Sequence, residues 1–179
     1  MTADNRRLDL AEDLVRQYGT RDPFRIARQK GIQIYYMNTS HQKGFSRIIL
    51  KQSCIFINEN MSEPMQKMTC AHELGHLLLH RDLLQENGIM LEYELFDIHN
   101  KTEFEANVFA ANLLIDEKEL REMAGAEMDM VEIAAAMDIN VNLLMIKLIL
   151  MQKKGINIPV PFTPDRKFLG TIRDQADAM

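Results

Sequence analysis

Residues 72–76 read His72-Glu73-Leu74-Gly75-His76, and on a helix this spacing has a chemical consequence. Side chains four apart stand one above the other on one face. Two imidazoles so placed can address a single zinc ion at about 2.0–2.1 Å each. The glutamate directly follows the first histidine, and its carboxylate can reach a water on the ion's open position. Zinc brings such a water towards a pKa of about 7, and the glutamate takes its proton as it attacks a carbonyl. The pattern points to metal-assisted hydrolysis, with His72 and His76 as ligands and Glu73 as general base. The bland alternative is a helix carrying two histidines and a salt-bridging glutamate. The flanks oppose it, because Met68, Cys70, Ala71, Leu74, Leu77 and Leu78 mark a buried helix. Polar groups buried there need partners, and a metal ion supplies one.

A catalytic zinc takes three protein ligands. By residue type, the third could be His80, His99, Glu103 or Glu105. His80 continues the histidine stripe and could line a substrate cleft, or simply end the helix near its C-terminal dipole. His99 and Tyr93 could donate to a tetrahedral oxyanion.

These residues need a scaffold, and periodicity supplies its outline. Helical spacing covers Leu8 to Tyr18, and Asp22-Pro23 opens a short second helix. Alternation at Ile32, Ile34 and Tyr36, then the runs Phe45–Leu50 and Cys54–Ile57, predict about three short strands. Lys51-Gln52-Ser53 is the expected hairpin connection, though it lacks the strong Asn-Gly signal. Ser62-Glu63-Pro64 starts the helix that carries the histidines, and Thr102 to Ile115 forms another. Residues 81–100 have no clean period; Asn87–Asn100 is a candidate gate over the site. Asp116 and Asp129 cap two further helices, and Val141 to Lys154 is a long apolar one stopped by Gly155. The expected fold class is α+β and zincin-like: a small antiparallel sheet packed on the histidine helix, with further C-terminal helices. Residues 1–158 read as one metallopeptidase-type domain with a helical subregion at 126–155. Residues 159–179 read as an extended or flexible tail.

Two segments together, HELGHLLLH at 72–80 and EFEANVFAANLLI at 103–115, resemble the ImmA/IrrE family of zinc metallopeptidases over roughly residues 10–120. Asp22-Pro23-Phe24, Gly31-Ile32 and Ile55-Phe56-Ile57-Asn58 carry the resemblance further. It implies a glutamate third ligand on a second helix. Thermolysin-like relatives place that residue in an E-x-x-S-D frame, which Glu103-x-x-Ala106-Asn107 fits and Glu105 does not. Asn107 shares a face with Glu103 and could orient a ligand histidine. Glu105 could complete a capping box with Thr102 as N-cap, whereas with Asn100 as the cap Glu103 would hold that position. The sequence departs from the family where a proline usually follows the second helix; Asp116 stands there, and its capping preserves the break.

The resemblance also implies a function: an anti-repressor of a phage, integrative element or stress regulon that cleaves a helix-turn-helix repressor. Two rival readings are a metal-containing regulator that binds its partner without cutting, and a DNA-binding regulator. For the last, residues 131–137 and 141–154, joined by Asp138-Ile139-Asn140, have a helix-turn-helix look. But Leu143 to Leu150 is too apolar to lie in a DNA groove, so packing or partner binding is the expected role. A net charge of −5 also argues against a phosphate-backbone binder. The N-terminus carries no signal-peptide-like apolar core and no apolar run could span a bilayer, so the expected location is the cytoplasm. Cys54 and Cys70 read as two buried thiols of a reducing compartment. Most of the 13 methionines read as core filling.

Overall fold

The computed structural model of the chain describes residues 3–87, 90–92, 101–126, 128–158 and 160. Helix α1 spans Ala3–Tyr18 and α2 spans Pro23–Gln29. Asp22 caps α2 by accepting from the Phe24 N–H at 2.9 Å, with Pro23 in the first turn, where no N–H is needed. Three strands follow, β1 (Gln33–Met37), β2 (Gly44–Ile49) and β3 (Gln52–Asn58). Helix α3 spans Glu63–Leu79 and α4 spans Arg81–Asn87. After the short strand β4 (Met90–Glu92) come α5 (Lys101–Leu114), α6 (Glu117–Gly125), α7 (Met130–Ala136) and α8 (Val141–Lys153).

The α+β class and a sheet lying on α3 agree with expectation, but the pairing is mixed. The strand order is β1-β3-β2-β4. β2 runs antiparallel to β3 and β4, whereas β1 joins β3 in parallel. The chain leaves β1, passes the end of β3 and returns as β2. Asn58, at the end of β3, holds that crossing: its amide donates to the Thr39 and Gln42 carbonyls, both at 2.9 Å. β3 is therefore flanked on both sides, and β2 is covered by β4 along Gly44, Phe45 and Ser46. Among the described residues β3 therefore has no open edge, and along Gly44 to Ser46 the outer strand is β4.

The β2–β3 connection is also tighter than expected. Leu50 and Lys51 alone make the turn, at φ 50° and 70°, and β3 begins at Gln52. Positive φ at both central residues is the type I′ geometry whose twist matches a hairpin. Leucine gains nothing from packing in this position, since Leu50 is 96% exposed.

The two faces of the sheet differ. Ile55, Ile57 and Ser46 are buried, and Gly44 on the same face lies against α3. On the other face Tyr35, Phe56 and Phe45 stack across three strands, with ring centroids 5.1 and 4.4 Å apart. The core continues between α3, α5 and α8, through Leu74, Leu77, Phe104, Phe109, Leu144 and Ile146.

Helices α7 and α8 meet at 109°, a helix-turn-helix angle. The second of them is committed to the core: Leu143 to Lys147 and Ile149 to Met151 are buried. A buried helix cannot enter a groove. Among the described residues no single helix is long and apolar enough to cross a membrane. Cys54 and Cys70 are buried free thiols, and burial pushes the Cys70 thiol far up. Met68, Met130, Met145 and Met151 are core residues.

Candidate metal centre

Two helices and one strand make the site. α3 is buried from Met68 to Leu77, so His72, Glu73 and His76 are enclosed although polar. α5 crosses α3 closely because Gly75 has no side chain. A Cβ there would lie 3.1 Å from the Phe109 ring and 3.2–3.3 Å from the Ala106 backbone. That approach carries Glu103 to the histidines. On the opposite side β2 rests on α3 through Gly44, whose added Cβ would meet the Thr69 side chain, the Phe56 carbonyl at 2.9 Å and the Glu73 stem at 3.7 Å. The general-base candidate is thus held between the helix and the sheet. Neither glycine was singled out from sequence as a positioning residue. A lone glycine inside a strand pattern is a usable signal of close backbone approach.

Three atoms converge. His76 Nε2 lies 2.9 Å from His72 Nε2, and Glu103 Oε2 lies 3.2 and 3.3 Å from those two nitrogens. Among the described residues this is the one set of three such side chains whose ligand atoms lie within 4.8 Å of one another. At zinc bond lengths of about 2.0–2.1 Å, tetrahedral ligand atoms stand about 3.3 Å apart. Two imidazoles and a carboxylate at this spacing fit a divalent cation of zinc's size. Glu105, the other carboxylate candidate, points elsewhere, and so does His80.

Charge states agree with that fit. Burial, opposed only in part by Glu103, draws the His76 imidazole down to about 4, so it is neutral near pH 7. Burial pushes Glu103 up, but the neighbouring His72 and His76 imidazoles outweigh this and hold its carboxyl well below the usual carboxylate range. A neutral imidazole and an ionised carboxylate are the states a metal ion requires.

Around these atoms lie the remaining candidates. His72 Nδ1 meets Asn107 Oδ1 at 2.8 Å, the orienting contact expected of a residue sharing a face with Glu103. His80 is the C-cap residue of α3, its N–H bonded to the His76 carbonyl, so it does end the helix. Its ring, however, turns inward between His76 (Nδ1 to Nδ1, 3.1 Å) and Glu105 (Nε2 to Oε2, 2.8 Å). α5 begins at Lys101, so Thr102 lies inside the helix and not at its N-cap. Tyr93 and His99 lie outside the described residues, as does most of the Asn87–Asn100 segment read as a gate.

The far end of α5 is fixed independently. Arg21 donates to the Asn112 and Leu113 carbonyls at 2.9 and 3.1 Å, to Asp116 at 3.2 Å and to Glu12 at 3.0 Å. Lys147, buried in α8, donates to Asn112 Oδ1 at 2.9 Å and pairs with Glu117 at 3.1 Å.

A peptidase family model, the IrrE N-terminal-like domain, matches residues 27–148. The chain is 31% identical over 122 residues to "Uncharacterized immunity region protein 2" of Bacillus phage phi105, covering 68% of this chain and 75% of that protein. It is 29% identical over 113 residues to the metallopeptidase ImmA of Bacillus subtilis (strain 168), covering 62% of this chain and 64% of that one. The match to ImmA thus spans just under two thirds of that relative's length.

Proposed function

Because the chain belongs to the IrrE N-terminal-like family of metallopeptidases, we propose that it is a zinc-dependent endopeptidase that cuts one regulatory protein, a helix-turn-helix repressor of a phage, integrative element or stress regulon. The observation that carries the chemistry is the convergence of His72 Nε2, His76 Nε2 and Glu103 Oε2 beside the fully buried Glu73. His72, His76 and Glu103 hold the ion. When bound, zinc supplies Lewis-acid polarisation of the scissile carbonyl and acidifies the attacking water.

The chain's own residues do the rest. The Glu73 carboxylate accepts the water proton and delivers it to the leaving amine. Packing of its stem near Gly44 restricts where that carboxylate can swing. Asn107 fixes the His72 ring. An extended substrate segment adds at the outer edge of β4, since β2 is covered there and β3 is interior. The repressor as substrate is supported by the resemblance of the two motifs to anti-repressors and by the phage relative, whose name assigns it to an immunity region.

The test is co-expression with the repressor encoded nearby, comparing the wild type with Glu73→Gln. The wild type produces a new repressor fragment. The variant loses about 10²–10⁴ in cleavage rate and still binds about one zinc per chain. If both inactivate the repressor without a fragment, the protein acts by binding and the peptidase reading is wrong.

A further inference from the structure

The two ring nitrogens of each proposed ligand histidine have different tasks. Nε2 of His72 and His76 face each other and Glu103, while each Nδ1 faces away. For His72 the outward partner is the Asn107 amide oxygen. For His76 it is another imidazole, His80, at 3.1 Å Nδ1 to Nδ1. Such a contact forms only when one ring carries hydrogen on that nitrogen and the other does not. Glu105 decides which. Its Oε2 lies 2.8 Å from His80 Nε2, and a carboxylate only accepts. His80 therefore carries its hydrogen on Nε2. With no second hydrogen on the His80 ring, its Nδ1 is bare and accepts from His76 Nδ1–H. The single hydrogen of His76 is thus committed to Nδ1, and its Nε2 lone pair is left towards Glu103 and His72.

We propose that Glu105 and His80 form a buried relay that orients His76 and fixes its tautomer, making them positioning residues for the metal. This rests on reading His76 as a ligand. The relay joins the end of α3 to the second turn of α5, and both side chains are 5% exposed. The other Glu105 oxygen lies 3.9 Å from Lys101 Nζ, one turn earlier on α5. The two histidines are consequently unequal: His72 is backed by a neutral amide, His76 by a carboxylate acting through a second imidazole. A hydrogen-bonded partner of this kind raises the donor strength of a ligand histidine as well as fixing its angle.

Two measurements test the relay. In zinc-loaded wild type, long-range ¹H–¹⁵N correlation of the imidazoles should find His76 protonated on Nδ1 and His80 on Nε2. His76 protonated on Nε2 overturns the proposal, and this measurement needs no variant to fold. Zinc affinity by competition with a chromophoric chelator should fall about 10–100-fold in Glu105→Ala and in His80→Phe. The double variant should be no weaker than either single one, because the links act in series. Folded variants that bind zinc like the wild type also overturn it. His76→Ala separates the two layers of argument. If it abolishes binding while the relay variants do not weaken it, only the relay is wrong. If it too binds zinc normally, the metal-centre reading itself is wrong.

Discussion

His76 is 1% exposed and draws little from water, so its proton equilibrium is tied to folding. Burial lowers its folded value to about 4, from an ordinary 6.5. As pH falls, the unfolded chain takes up this proton first, so metal-free protein loses stability between about 6.5 and 4. The ceiling from this one group is about 3 kcal/mol. Glu103 acts with the same sign in a lower window. Its folded value is depressed, so its contribution is present above the ordinary carboxylate range and fades as pH falls through the folded value. Denaturant titrations in chelator at pH 7 and at pH 4.5 should therefore show a clear drop in unfolding free energy, and His76→Ala should flatten it. An equal midpoint at both pH values, with unchanged slope, would remove the argument for a buried neutral imidazole.

Gly75 sets the distance between α3 and α5, and the consequence of filling it can be argued from what it touches. Alanine favours a helix by about 0.8–1.0 kcal/mol over glycine. Yet the new methyl would press on the Ala106 backbone at 3.2–3.3 Å, and backbone cannot rotate aside. Overpacking of this kind costs about 1–3 kcal/mol. The two effects nearly offset in stability, but α5 must shift by a few tenths of an ångström, and Glu103 moves with it. Gly75→Ala should melt close to wild type in chelator and bind zinc about tenfold more weakly, read by chelator competition. Wild-type affinity would mean that the approach is slack. The elements themselves were unevenly legible. Helix starts were readable because Asp22, Asp116 and Asp129 cap them through local side-chain contacts. The sheet was not, since parallel entry of β1 depends on Asn58 binding a loop 16–19 residues away, and the turn at Leu50–Lys51 uses no glycine or asparagine. Likewise the HExxH spacing is a local fact, whereas the inward turn of His80 depends on Glu105, 25 positions along the chain.

At the scale of the whole molecule, the site is closed from two directions. α5 is tied at its start to α3 through Glu103 and Glu105, and at its end to α1, α6 and α8 through Arg21 and Lys147. Arg21→Ala leaves two helix-end carbonyls and the Glu12 and Asp116 carboxylates without their cation. A loss of about 1–3 kcal/mol is expected, with zinc affinity nearly unchanged, because Glu103 sits at the other end of α5. Metal binding acts on the opposite end. His72 and His76 come from α3 and Glu103 from α5, 27–31 positions apart, so an ion held by all three ties the folded helices together and has no equivalent site in the unfolded chain. Such binding stabilises by RT ln(1 + [L]/Kd), about 2.7 kcal/mol when free zinc is a hundredfold above Kd. For a chain of this length that is a rise in Tm of about 5–10 °C. Scans in zinc and in chelator should differ by this much for wild type and for Arg21→Ala, and by little for Glu103→Ala. A wild-type Tm indifferent to zinc would mean that the three converging atoms do not hold the ion, however well they are spaced for it.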